Sequence, residues 1–503
     1  MRVNLLGHAV DQGVLLVLAV FVPFAGVMAG LAAGGAHARR IAWLTLFCGG
    51  CVVVAIAWIV TSSETPLGYS VGGWSPPLGV ALRADGLSVC MMLMVAVVTV
   101  AVGVYASGDF GQGGKGESRS GLVFWLLLLA VWGSLNLVFV SRDIFTLYVA
   151  LELLTFAGVP LVALDGRAET LQAALRYLLF ALAGSMLYLL GVFLLYGAYE
   201  TLDIVLLSAR IDGQPETWAA IALMTSGMLA KTALFPLHLW LPPAHAGAPA
   251  PASALLSALV VKGSWFILVR LWIDAFLGVV SGPFVQLLAA MGAMAIVVGN
   301  LVAIRQQRLK LLIAYSTVAQ IGYLFLLFPL AMSPQDSRQA IAGGLMQAIS
   351  HATAKAAMFL SAGVLYGVLG HDRMADLRGA GQASPITILA FALAGASLIG
   401  LPPSGGFLAK WLLVSAALDT GQWWWVLLLL TGGLLTGIYV FMVVVRAMAP
   451  AAPDWTPQRR VPRCQQYAAL GLAMCSFLLG LSALLPVDVA QIGRAPVHAI
   501  GGS

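Results

Sequence analysis

The chain has 503 residues, 61% of them hydrophobic and only 9% charged, with a net charge of +6 at pH 7 and a mean hydropathy of +0.96. An ordinary soluble domain is roughly 25% charged and 45–50% apolar, so charges this sparse cannot cover a water-exposed surface and most of the chain must be solvated by lipid. A soluble enzyme, a nucleic-acid binder and a disordered scaffold are excluded, and one all-α bundle of many membrane-spanning helices is expected.

Fourteen apolar segments of spanning length, about 20 residues each, follow one another at 13–33, 41–61, 86–106, 121–141, 143–164, 172–198, 218–239, 251–275, 283–304, 310–331, 340–369, 385–415, 423–447 and 466–486. The first is not read as a cleaved signal peptide, because almost no basic region precedes it and no small-residue cleavage site leads into a soluble domain. In the second, Cys48 and Cys51 form a C-x2-C. No other Cys/His cluster completes four ligands, so the cysteines are read as inert packing residues, with neither a metal site nor a disulfide framework expected. There is no strand–glycine loop–helix fingerprint and no Walker-type loop. No metal or organic cofactor and no redox centre is expected in this chain.

Lys and Arg in the connecting loops set the orientation. Loops after odd-numbered segments hold Arg39, Arg40, Lys115, Arg119, Arg167, Arg305, Arg308, Lys310, Arg373, Arg378, Arg446, Arg459, Arg460 and Arg463. The even loops and both termini hold Arg2, Arg83, Arg142, Arg210, Arg338 and Arg494, a bias of 14 to 6. The positive-inside rule then puts the odd loops in the cytoplasm and both termini outside, in the inner (plasma) membrane of the cell.

Two segments are interrupted by proline. The seventh runs into Phe235-Pro236-Leu237-His238 and Leu241-Pro242-Pro243, and the twelfth breaks at Gly400-Leu401-Pro402-Pro403-Ser404-Gly405-Gly406. Each proline removes a donor and crowds the preceding turn, and the freed backbone groups must be met by protein or water, since lipid cannot meet them. A lysine lies near each break, Lys231 before the first and Lys410 after the second. Segments 6 and 11 form a second matching pair, ending in Leu195-Tyr196-Gly197 and Leu365-Tyr366-Gly367. Five segments separate the members of each pair, and an odd offset reverses direction in the membrane. Segments 4–8 and 9–13 are therefore expected to be two inverted five-helix repeats with broken helices 7 and 12, an arrangement that points to a transport site. The chain divides accordingly into residues 1–120 (three helices), 121–275 (first repeat), 283–447 (second repeat) and 448–503 (loop, last helix and tail).

Seven ionisable residues sit inside apolar segments: Glu152, Lys231, His238, Lys262, His351, Lys355 and Lys410. A lysine at the centre of a lipid-facing helix costs about 2.5–3.5 kcal/mol, so the four lysines should face the interior, and several such groups together read as an ion pathway. Plainer readings exist for each: Lys410 could snorkel to the interface, Glu152 could be a static counter-ion for Lys231, and either histidine could be a hydrogen-bonded core residue. Arg176 and Arg270, near segment ends, are read as snorkelling. The set argues further than its members. His351 and Lys355 are four apart and share a helix face. Burial and a neighbouring cation disfavour a charged lysine whereas a carboxylate favours it, so moving Glu152 toward or away from Lys231 would switch whether that lysine holds its proton. Histidine suits the relay between such lysines.

With these stretches the chain resembles the antiporter-like proton-translocating subunits shared by respiratory complex I, multisubunit sodium/proton antiporters and membrane-bound hydrogenase or formate hydrogenlyase complexes. The likeness is carried by Leu147-Tyr-Val-Ala-Leu-Glu152-Leu153, Lys231-Thr-Ala-Leu-Phe-Pro-Leu-His238-Leu-Trp-Leu-Pro, Ala244-His245-Ala-Gly-Ala-Pro249, Ser253-Ala-Leu-Leu-Ser257 with Lys262, His351-Ala-Thr-Ala-Lys355 and Gly400-Leu-Pro-Pro-Ser-Gly-Gly-Phe-Leu-Ala-Lys410. The resemblance implies that Glu152 pairs with Lys231 on the broken helix 7, that Lys262, His351 and Lys355 form a relay, and that Lys410 exchanges protons with the outer side. It also implies partner subunits in a multisubunit membrane complex. Some relatives have an acidic residue where this chain has Pro243, and others glutamate in place of Lys410. The sequence ends shortly after segment 14, so the long lateral helix of the largest complex I antiporter-like subunit is expected to be absent. The expected function is proton translocation as a subunit of a complex-I-like redox complex. The alternatives are a subunit of a multisubunit sodium/proton antiporter, an ion-coupled partner of another membrane complex, such as one handling inorganic carbon, and a structural subunit whose buried charges only bind neighbours.

Overall fold

The computed structural model describes residues 12–110, 119–280, 282–332, 338–451, 453, 455–482 and 485–494; Arg2 and Lys115, counted in the orientation argument, lie outside them. Helices α1 (Val14–Ala33) and α2 (Gly35–Ser63) lead into an antiparallel hairpin of β1 (Leu67–Ser70) and β2 (Ala81–Ala84), with Leu67 opposite Ala84. No sequence pattern announces this hairpin, because four-residue strands are too short to display a period of two. Then come α3 (Gly86–Asp109), α4 (Arg119–Val140), α5 (Ile144–Val162), α6 (Ala168–Tyr199), the short α7 (Ile204–Arg210), α8 (Pro215–Thr232) and α9 (Leu241–Gly247). They are followed by α10 (Ala250–Ala275), α11 (Gly282–Ile304), α12 (Leu309–Ala331) and α13 (Arg338–Leu369). The chain continues through α14 (Pro385–Ile399), α15 (Gly405–Asp419), α16 (Trp424–Met448), α17 (Arg463–Leu478) and α18 (Leu485–Gln491). Among the described residues, 12 helices are long and apolar enough to cross a membrane. The two other expected segments are the broken ones, α8–α9 and α14–α15.

The two breaks are built alike. Helix α8 ends at Ala233, whose φ is 57° and whose N–H caps the Leu229 and Ala230 carbonyls, while the Leu234 N–H returns to Leu229. Helix α14 ends at Gly400, with φ 90°; its N–H caps Ala396 and Ser397, and the Leu401 N–H returns to Ala396. Left-handed caps of this kind satisfy carbonyls that proline leaves without a following turn.

A second correspondence lies at the helix ends. The Ile144 N–H donates to the Leu202 carbonyl and the Ile204 N–H to Arg142, with Arg142 and Asp203 paired at 2.6 Å. In the second half the Leu309 N–H donates to Asp372 and the Met374 N–H to Gln307, with Arg308 and Asp372 paired at 3.1 Å. The start of α5 is thus stitched to the end of α6 as the start of α12 is to the end of α13. Helices α6 and α13 are 32 residues each.

Small residues let the helices approach. A Cβ on Gly227 of α8 would collide with the Gly184 carbonyl of α6, and one on Gly322 of α12 would collide with the Gly292 carbonyl of α11. The most apolar window of α10 is 100% buried, against 33% for α1, so α10, α12 and α13 form the centre and α1 lies on the rim.

Arg270 does not snorkel. Two of its nitrogens reach Asp85 at 2.5 and 2.6 Å and it also holds Asp274 at 2.9 Å; a carboxylate far away in sequence but adjacent in the fold makes burial tolerable. Arg176 is exposed. Cys48 and Cys51 are exposed rather than packed, three positions apart on the outward face of α2.

Candidate functional site

Lys231 lies in the last turn of α8, buried, where the helix C-terminus favours a cation. Its Nζ donates to Glu152 Oε1 at 3.3 Å, to Thr155 Oγ1 at 3.0 Å and to the Leu151 carbonyl at 3.4 Å, all on α5. Ser185 of α6 donates to the same Glu152 oxygen. The expected pair therefore forms, and two hydroxyl groups frame it. Next to it Thr232 donates to Ser264 of α10 at 2.9 Å, tying the broken helix to the one that carries Lys262.

Lys262 is wholly buried and folds back on α10 to donate to the Ser257 carbonyl at 2.5 Å, inside a π-helical stretch, Leu256–Val260. Such local widening is frequent at functional sites. The Ser257 hydroxyl meets Thr317 of α12 at 2.8 Å, and Thr317 donates to the Ile313 carbonyl. Lys355 of α13, also wholly buried, donates to that same Ile313 carbonyl at 3.2 Å and to Ser316. Lys262 and Lys355 are thus connected through one hydroxyl pair and one shared carbonyl.

Toward the second break the polar line continues along α13. Gln347, His351 and Lys355 recur at four-residue spacing, so each is one turn from the next. Gln347 donates to Gln320 of α12 at 3.0 Å, and Gln320 reaches the Leu398 carbonyl at 3.4 Å. Lys410, on α15, donates to Leu398 and Ile399 at 2.8 Å each and stands 4.8 Å from the centre of the Tyr323 ring. These are end carbonyls of α14 that have no intrahelical partner. Lys410 therefore does not snorkel; it occupies the break.

The two histidines of the set differ. His351 is buried on the line between Lys355 and Gln347, and neither ring nitrogen has a hydrogen-bond partner among the described residues. His238 lies in the first break, its ring stacked on Phe235 at 5.5 Å with Nδ1 unpartnered. The structure does not bring it into hydrogen-bond contact with the other six.

The residues that sequence reasoning misses are uncharged linkers, Thr155, Ser185, Ser316, Thr317, Gln320 and Gln347; Ser257 stands in a sequence motif, but without a role. A signal exists for three of the linkers. Gln347 is four before His351, and Ser316 and Gln320 are four apart on α12. Among the described residues no group of three or more His, Cys, Asp or Glu could hold a metal ion.

Residues 141–436 match the family described as NADH:quinone oxidoreductase/Mrp antiporter, TM. The chain is 36% identical over 445 residues to the NADH-quinone oxidoreductase subunit N of Desulforudis audaxviator, covering 88% of this chain and 86% of that one. It is 28% identical over 424 residues to a Na(+)/H(+) antiporter subunit of Bacillus subtilis, covering 83% and 82%. Its fold is similar to a chain of the Mrp complex from Dietzia sp. DQ12-45-1b, with a TM-score of 0.85, 23% identity and 96% of each chain covered.

Proposed function

Because this chain belongs to the NADH:quinone oxidoreductase/Mrp antiporter transmembrane family, we propose that it translocates protons as a membrane subunit of a complex-I-like redox complex. The observation that carries this reading is the buried line from Glu152 and Lys231 through Lys262, His351 and Lys355 to Lys410. Hydroxyls, amides and backbone carbonyls flank it, and they connect Lys262 with Lys355 and reach the carbonyls that hold Lys410. Uncompensated charges at this depth are costly; the carbonyl and hydroxyl partners make them tolerable, and water beside the hydroxyls carries the protons between them.

In this mechanism a proton enters from the odd-loop side, which the loop charges assign to the cytoplasm, and reaches Lys231. Glu152 favours the protonated amine while the two are in contact; separation releases the proton toward Lys262 through the Thr232–Ser264 junction. Water beside the Ser257 and Thr317 hydroxyls carries it from Lys262 to Lys355. His351 and the Gln347–Gln320 pair lead to Lys410, which discharges to the outer side, the side to which the loop charges assign both termini. His238 belongs to the entry leg. Partner subunits of the inner-membrane complex supply the driving force, and the two five-helix repeats, 121–275 and 283–447, are the mechanical halves.

Replacing Lys231 or Glu152 by Ala is expected to abolish proton translocation in vesicles while the complex still assembles. Pumping at normal stoichiometry in Lys231→Ala would overturn the relay. The likeness to a sodium/proton antiporter chain supports a second reading, sodium/proton exchange without redox chemistry. Sodium-dependent proton flux in vesicles without an electron donor would select it.

A further inference from the structure

A cavity of about 390 Å³ opens on the odd-loop face, between the ends of α3, α6, α9, α10, α12 and α13 and the segment before α17. Its charged lining is mixed: Arg167, Arg308, Lys310 and Arg459 against Asp109, Asp165 and Asp372. Three of these cations hold three successive carbonyls of one wall. Arg308 donates to Ala246 at 3.4 Å, Arg167 to Gly247 at 3.0 Å and Lys310 to Ala248 at 3.0 Å. Groups drawn from two different loops thus fix the short strap that follows His245.

His245 itself is fully buried behind that strap. Its ring stacks on Phe359 of α13, centroids 4.7 Å apart, and neither ring nitrogen has a hydrogen-bond partner among the described residues. A buried polar group left without a partner costs about 1–3 kcal/mol, and a phenyl ring would stack equally well at no such cost. Phe359 is one turn from Lys355 in one direction and one turn from Gly363, which lines the cavity, in the other. On α13 it is the apolar step between the cavity and the buried lysine. Lys355, Lys310 and Lys262 all act electrostatically on His245.

We propose that this cavity is a proton intake serving the second repeat directly and that His245 carries the proton from it past Phe359 to Lys355. The inference rests on the proton-translocating reading above. One ring nitrogen accepts a proton from hydronium supplied by the cavity and relayed past the Ala246–Ala248 strap, leaving water, and the other releases its own across a bridging water to the neutral Lys355 amine. Lys355 becomes an ammonium and the imidazole is left neutral in its other tautomer; a ring flip restores it. Lys355 is thereby loaded without passage through Lys231 and Lys262.

The test uses the full chain with the subunits that co-purify from its own membrane, reconstituted into liposomes. His245→Phe keeps the stack and removes both nitrogens, and should lower proton translocation about tenfold or more, as loss of a positioned proton carrier does. In His245→Ala, imidazole added on the cavity side alone should restore it. Independently, Val461→Cys at the cavity wall, in a Cys464→Ser background, should lose translocation when a membrane-impermeant methanethiosulfonate plugs the cavity. That arm decides the matter if the histidine variants do not assemble. Normal translocation in His245→Phe, or in fully modified Val461→Cys, with Lys231→Ala inactive, overturns the intake and leaves the relay standing. Normal translocation in Lys231→Ala overturns the relay reading itself.

Discussion

Asp85 shows what a single residue decides in a chain this poor in charge. It caps the start of α3, accepting from the Ser88 N–H at 3.0 Å, and it is the partner that keeps Arg270 inside the protein. Burial alone would raise its carboxyl, but the Arg270 charge and hydrogen bonds, with the Ser88 N–H, outweigh burial and hold it below the ordinary carboxylate range. A carboxyl depressed on folding contributes stability that is present above its unfolded value, near 3.9, and lost as pH falls through the folded value. Asp85→Asn should therefore lower stability at pH 7 by about 3 kcal/mol, because it strands a buried guanidinium. The gap between variant and parent should narrow below about pH 4. Thermal melting in detergent across that range checks both statements; a variant as stable as the parent at pH 7 would mean that Asp274 alone suffices for Arg270. The same residue explains why Arg270 looks like a snorkelling residue in the sequence. Its partner precedes it by 185 positions, and no local pattern announces such a neighbour.

At the scale of helices, the two breaks give paired predictions of opposite sign. Ala233 adopts the left-handed conformation that alanine disfavours by roughly 1–2 kcal/mol, whereas Gly400 fills the same role in the second half without that cost. Ala233→Gly should raise stability by about 1 kcal/mol and Gly400→Ala should lower it by at least as much. The added methyl at 400 would also lie 2.9 Å from the Lys410 Cδ, so Gly400→Ala should reduce translocation as well. Melting temperatures and vesicle assays on the two variants separate the effects. The breaks and the seven ionisable residues are legible in the sequence because proline and charge are expensive at membrane depth and stand out in any apolar run. The linkers are not. Serine, threonine and glutamine cost little in a membrane helix when a backbone carbonyl is near, and whether Thr317 faces Ser257 depends on packing between helices, not on either helix alone. His245 stands in a recognisable motif, but only the fold reveals that its nitrogens are unmet and so gives it a role.

For the molecule as a whole, the helices divide by exposure. The best-buried ones, α10, α12 and α13, carry Lys262, His351, Lys355 and most of the uncharged linkers of the proposed relay, while Lys231 and Lys410 stand at the breaks and Glu152, Thr155 and Ser185 lie on α5 and α6. That carboxylate, 14% exposed on its side chain, lies where the first half meets its surroundings, a suitable place for a neighbouring subunit to disturb the Glu152–Lys231 contact. The pairing of stitches, Arg142 with Asp203 and Arg308 with Asp372, places equivalent helix ends on opposite faces, as inverted halves require. Glu152, Lys262 and Lys355 each fall near the middle of their helices, and Lys231 and Lys410 sit at the breaks, so all five share nearly one depth. Their line runs across the electric field of an energised membrane rather than along it. One charge carried from face to face at 100 mV exchanges about 2.3 kcal/mol with that field; the same charge carried sideways from Lys231 to Lys410 exchanges almost none. In the proposed mechanism the longest part of the route is therefore electrically silent, and voltage pushes back only on the short legs by which a proton enters and leaves.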